Sequence, residues 1–153
     1  MLRHPAHAIA LGAGAGLVPR APGTAGTLLA LPVYWALAPW CTTAVLLALI
    51  ALGFLAGLWA CGVTGRALGV ADHGAMVWDE IIAFLLVLAY TPAGWAWQAF
   101  AFVLFRVFDI LKPPPIRYFD QLWKNGFGVM FDDVLAAGYT LLAIVAAKVA
   151  VAG

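Results

Sequence analysis

Two pairs of adjacent acids, Asp79-Glu80 and Asp132-Asp133, stand at the starts of long apolar runs, and Asp109 closes a third. An acidic residue at the centre of a membrane helix costs roughly 3 kcal/mol on insertion scales, and less toward the edge. Residues kept at that cost are functional suspects. A cluster of carboxylates with no histidine or cysteine beside it suits a hard cation. Mg²⁺ favours carboxylates plus retained water and commonly bridges to substrate phosphate. Adjacent side chains on a helix diverge by about 100°, so one member of each pair can face an ion. The other is then free to cap, to bind a second ion or to orient the first ligands. The same acids also suit helix N-termini as plain dipole partners.

Arg106, Asp109 and Lys112 follow at i, i+3 and i+6, a spacing that puts cation, anion and cation on one helical face. That ladder reads as a salt-bridge stripe or as a phosphate clamp, in which Arg106 and Lys112 neutralise phosphoryl oxygens. Arg117 and Asp120 read as a further surface pair. Upstream, Ala21-Pro22-Gly23-Thr24-Ala25-Gly26-Thr27 opens a helix whose free N–H groups suit an anion, with Thr24 expected as N-cap. No Gly-Lys-Ser/Thr follows, so it is not a Walker A loop. Its small residues equally suit tight helix packing. Neither a Cys-x5-Arg phosphatase loop nor an Asp-x-Asp-x-Thr motif is present, and His73 is a lone loop histidine.

The elements that must carry these residues are apolar. The chain has 153 residues, 65% hydrophobic and 10% charged, with net charge +1. A soluble domain carries about 25% charged residues, so the expected fold is an all-α integral membrane protein. We expect one compact bundle of about four to five transmembrane helices, since about 20 apolar residues make a crossing. The expected spans are 24–38, 43–63, 77–90, 95–112 and 132–151. Residues 1–20 read as a re-entrant or interfacial segment, broken by glycines and by Pro19 and Pro22, and not as a cleaved signal. Pro113-Pro114-Pro115 ends the fourth run. Residues 116–124 form a short amphipathic surface helix, with Ile116, Phe119, Leu122 and Trp123 as its apolar set.

Counted by side, seven of the eight basic residues fall on one face, which the positive-inside bias makes cytoplasmic. Nearly every acid lies in the same layer. No basic stripe points to nucleic acid. Cys41 and Cys61 lie in apolar surroundings without a CxxC, so neither a disulfide nor zinc is expected. A homo-oligomer stays open. An ion pathway or divalent-cation carrier would spread its charges through membrane depth. A lipid-phosphate transferase would need a nucleotide site, and no residues for one are visible.

Four blocks then resemble one family. They are Ala21–Thr27, Val77-Trp78-Asp79-Glu80, the stretch Phe105-Arg106-Val107-Phe108-Asp109-Ile110-Leu111-Lys112-Pro113, and Gly126–Gly138 with its Asp132-Asp133-Val134-Leu135-Ala136 core. In this order they resemble the phosphatidylglycerophosphatase A family. The chain has Pro114 where many relatives have Trp, and Ile81-Ile82-Ala83 where they have Val-Val-Gly; neither change touches a candidate ligand. The resemblance implies a Mg²⁺-dependent lipid phosphatase of the bacterial inner membrane, with its site toward the cytoplasm. Its substrate would be phosphatidylglycerophosphate and its products phosphatidylglycerol and phosphate. On that basis Asp79, Glu80, Asp132 and Asp133 would be metal ligands. Arg106 and Lys112, with Thr24 or Thr27, would grip the phosphoryl oxygens. Asp79 or Asp109 would take a proton from the attacking water, or instead form an aspartyl-phosphate.

Overall fold

The computed structural model describes residues 3–153, and among them every regular element is helical. In chain order these are α1 (Pro5–Ala10), a 3₁₀ segment (Gly12–Leu17), α2 (Pro22–Leu37), α3 (Thr43–Leu68), α4 (Trp78–Tyr90), α5 (Trp95–Leu111), α6 (Ile116–Leu122) and α7 (Gly126–Ala152). Two of them, α3 and α7, are long and apolar enough to cross a membrane. The shortest of the major helices, α4, is the axis of the bundle. Ile81, Ile82, Ala83, Phe84, Leu85, Val87 and Leu88 are all buried on it, and α2, α3, α5 and α7 pack around it.

Helix ends follow local chemistry and shift several expected bounds. The Thr42 hydroxyl accepts from Val45 N at 3.3 Å to start α3. That helix ends at Gly69, whose φ of +71° gives the left-handed closing turn. The start of α2 is Pro22, not Thr24, because proline pre-sets the helical φ at the first position. Ala21 is the N-cap there, and Thr24 sits inside the first turn without capping it.

The largest shift is in α7. Asn125 Oδ1 accepts from Gly128 N at 2.9 Å, so this helix begins six residues before Asp132. The Asp132-Asp133 pair therefore lies in the second turn, inside the helix, where neither acid can cap it. Gly126 lets the start of α7 press against α3: a Cβ there would lie 2.6 Å from Leu58 O and 2.8 Å from Gly62 N.

Residues 1–20 were expected to be re-entrant or interfacial, and Met1 and Leu2 lie outside the described residues. The rest is a short helix and a 3₁₀ segment docked on the bundle. His7 Nδ1 meets the buried Thr64 Oγ1 of α3 at 2.8 Å, and Ala10 O accepts from Val77 N at 2.8 Å. The segment thus braces the residues that lead into Asp79. The expected surface helix is α6, and its core is aromatic: Phe119, Trp123, Phe127 and Phe131 form a cluster of stacked and edge-to-face rings joining α6 to α7.

Gly126→Ala should lower stability by about 1–3 kcal/mol, the range for overpacking a tight contact. Thermal unfolding in detergent checks it, and an unchanged midpoint would mean that α7 does not need this close approach.

Candidate active site at the charged end of the bundle

Four helices converge on one charged layer. The first turn of α4 supplies Asp79 and Glu80, and the second turn of α7 supplies Asp132 and Asp133. The last turns of α5 supply Arg106 and Asp109, while the start of α2 brings Gly23 and Thr27.

Asp79, Glu80 and Asp133 each offer a carboxylate oxygen, and the three oxygens lie within 4.8 Å of one another. Asp79 Oδ1, Glu80 Oε2 and Asp133 Oδ2 are buried and have no hydrogen-bond partner. Buried carboxylate oxygens left bare carry a desolvation penalty that a bound cation would remove. The donor set is all oxygen, which fits a hard divalent ion. The cluster is therefore an acidic centre able to hold a metal.

Arg106 sits against it. Its Nη1 is 3.8 Å from Glu80 Oε1 and 3.5 Å from Thr27 Oγ1, and it donates to Asp109 Oδ2. Its Nε is buried and free of partners, so the guanidinium keeps an unused donor. Thr27 is fully buried and donates to Gly23 O at 2.9 Å, which leaves its oxygen facing Arg106. A Cβ on Gly23 would intrude on Glu80 Oε1 and lie 3.0 Å from Arg106 Nη2. Position 23 must be glycine for the two head groups to fit. The sequence shows a glycine-rich helix start there, but its partners Glu80 and Arg106 lie 57 and 83 positions further along the chain. Thr24 is half-buried in the same turn.

Lys112 does not extend the ladder expected for Arg106 and Asp109. α5 stops at Leu111, and Lys112 takes a left-handed conformation with φ of 45°. The following Pro113 bars the helical conformation at this position. The ammonium swings instead to α7 and α6, 2.7 Å from Asp132 Oδ2 and 3.0 Å from Asp120 Oδ1. Asp132 Oδ1 meanwhile accepts from Asp133 N at 3.0 Å. Asp132 is thus turned away from the acidic triple, and the two members of its pair have separate partners.

Asp120, expected to pair with Arg117, also lies 3.7 Å from Lys124. Partial burial works against ionising Asp120, but the Lys112 hydrogen bond and charge outweigh it and hold its carboxyl below the usual carboxylate range. Asp120 is the residue whose link to the site the sequence reading missed. The proline run after Lys112 was the available signal, since it forces the chain back toward the bundle.

An all-helical bundle with a largely buried acidic triple able to hold a metal, flanked by two paired cations, defines a class of helical protein suited to an anionic ligand. The family model described as phosphatidylglycerophosphatase A matches residues 8–148. The chain belongs to the phosphatidylglycerophosphatase A family. Phosphatidylglycerophosphatase A of Haemophilus influenzae is 47% identical over 146 residues, covering 95% of this chain and 90% of that protein. Phosphatidylglycerophosphatase A of Escherichia coli is 40% identical over 136 residues, covering 88% of this chain and 78% of that protein. No solved structure matches.

Lys112→Met would strand the buried Asp132 carboxylate and should lower stability by about 3 kcal/mol, typical of breaking a buried pair. Adding Asp132→Leu should recover most of that loss. Unfolding of wild type, both single variants and the double variant measures the coupling; a value below about 0.5 kcal/mol would mean that the pair is not a unit.

Proposed function

We propose that the chain is a Mg²⁺-dependent lipid phosphatase that cleaves the terminal phosphomonoester of phosphatidylglycerophosphate, yielding phosphatidylglycerol and phosphate in glycerophospholipid synthesis. The observation that carries this reading is the set of bare buried oxygens on Asp79, Glu80 and Asp133 beside the free Nε of Arg106. A divalent ion and a phosphoryl group together satisfy all four atoms. Family membership supplies the lipid headgroup, as the relatives' names state it.

The chain in this proposal is a multi-pass protein of the bacterial inner membrane, with α2, α4 and α5 crossing beside α3 and α7. Large apolar side chains exposed along these helices support it, among them Trp95, Val103, Leu142 and Val149. Such a surface suits lipid and not water. Arg66, Arg106, Lys112, Arg117 and Lys124 cluster at one end, which the positive-inside bias assigns to the cytoplasm. The headgroup site then lies at the depth of the lipid phosphates.

Asp79, Glu80 and Asp133 would hold the Mg²⁺ in this proposal, whose chemistry when bound is Lewis-acid polarisation and neutralisation of phosphoryl charge. Asp132 is already engaged by Lys112, so its part is to fix that cation. Arg106 binds the non-bridging phosphoryl oxygens, as its planar fork suits. The buried Thr27 hydroxyl and Glu80 keep the guanidinium aimed. Water attacks phosphorus in line, the bond from phosphorus to the glycerol oxygen breaks, and Asp109 accepts the water's proton. The departing alkoxide takes a proton from solvent water, and Asp109 afterwards returns its own proton to solvent. Asp109 suits the task because Arg106 holds its carboxylate at the edge of the acidic triple.

Phosphate release from phosphatidylglycerophosphate in detergent tests the proposal, with and without Mg²⁺. Asp133→Asn should cut turnover by about a thousandfold or more, the scale for losing a metal-held transition-state contact. Its unfolding midpoint should stay close to that of wild type. No release from folded wild-type protein would sink the reading, and turnover indifferent to chelator would remove the metal from it. Acid-quenched protein should carry no labelled phosphate; a trapped aspartyl-phosphate would replace direct water attack.

A further inference from the structure

The open groove between α2 and α5 begins directly beneath the charged layer. On α2, Gly23, Thr27, Leu31 and Trp35 recur every four residues and so share one face. On α5, Val103, Phe102 and Ala99 lie three, four and seven residues before Arg106 and share its face. The two stripes oppose each other. At the upper end they meet where Arg106 Nη1 stands 3.5 Å from Thr27 Oγ1. At the lower end they meet where Trp35 Nε1 donates to Gln98 Oε1 at 3.0 Å. Between these two bridges the helices part and leave an apolar groove of about 320 Å³. Its depth is about 12 Å by the helical rise from Thr27 to Trp35.

We propose that this groove seats an acyl chain of the phospholipid substrate. The inference rests on the lipid-phosphatase reading and deepens it. An amphipathic phosphate ester needs a cation and an apolar channel in continuous register, and the Arg106 stripe provides both on one helix. Leu28 and Val103 form exposed outer lips, so a chain can enter sideways from the surrounding lipid. The Trp35–Gln98 bridge, with Trp95 beside it, lines the lower end of the groove.

Two larger apolar grooves, of about 490 Å³ and 450 Å³, flank α4. Their α4 walls lead up to Trp78 and Asp79 and present no cation to a phosphate. Volume alone would favour them; continuity with Arg106 favours the smaller groove.

Ala99 is exposed and lines the groove, so Ala99→Trp adds bulk where the chain would lie. The test compares kcat/KM for dioleoyl and dihexanoyl phosphatidylglycerophosphate in the full-length protein in detergent. The dioleoyl-to-dihexanoyl ratio should fall about tenfold, through KM, because only the long chain depends on the groove. Leu28→Trp obstructs the opposite lip and should do the same should Ala99→Trp fail to fold. Ala51→Trp places equal bulk in the α3 groove and should keep the ratio within about twofold of wild type. An unchanged ratio in both groove variants overturns the inference, as does a fall in Ala51→Trp that matches theirs. Wild type inactive on both lipids would instead overturn the phosphatase reading itself.

Discussion

Charge buried between apolar helices has to find an opposite charge, and Arg106 and Lys112 are where this bundle meets that demand. Each cation ties several helices together. Arg106 gathers α2, α4 and its own α5 through Thr27, Glu80 and Asp109. Lys112 gathers α6 and α7 through Asp120 and Asp132. A lone buried charge costs several kcal/mol, so neither cation can leave its partners without loosening the whole charged end. The packing elsewhere in the bundle is accommodating by comparison, with glycines at Gly26, Gly57 and Gly126 that let the helices close up.

The same economy separates the site into two halves with different electrostatics. On the Lys112 side, anions and cations alternate from Asp132 through Lys112 and Asp120 to Lys124, and each charge is matched. On the Arg106 side the acids outnumber the cations. Asp79, Glu80 and Asp133 keep bare oxygens there. A matched network holds geometry, whereas an unmatched one waits for a ligand. The proposed chemistry belongs to the unmatched half, and the matched half fixes the helices that carry it.

Much of the helical arrangement was readable from composition, because apolar runs of this length with proline and glycine between them leave few other folds. The ends of α4 and α5 fall within a residue of their expected bounds, whereas α3 runs five residues past its expected end at 63, to Leu68. The misplacements have specific causes. Pro22 started α2 earlier than Thr24 would have, and the Asn125 cap started α7 six residues before the acids. Helical periodicity put Lys112 on the Arg106 face, but the proline that follows turns it out of the helix. Periodic arguments fail at helix termini because the backbone there no longer repeats.

The sequence by itself determined the inventory: an all-helical, apolar chain with two pairs of adjacent carboxylates, two cations before a proline run, and motifs diagnostic of the family. These are local or compositional properties, set by residue type and by spacing within a few turns. Only the tertiary structure decided how the inventory is divided. It grouped Asp133 with Asp79 and Glu80, gave Asp132 to Lys112, drew Asp120 into the site, and required glycine at position 23. Those assignments depend on which side chains meet across helices far apart in the chain. That is settled by packing depth and the pairing of buried charge, neither of which is written in the spacing of any single segment.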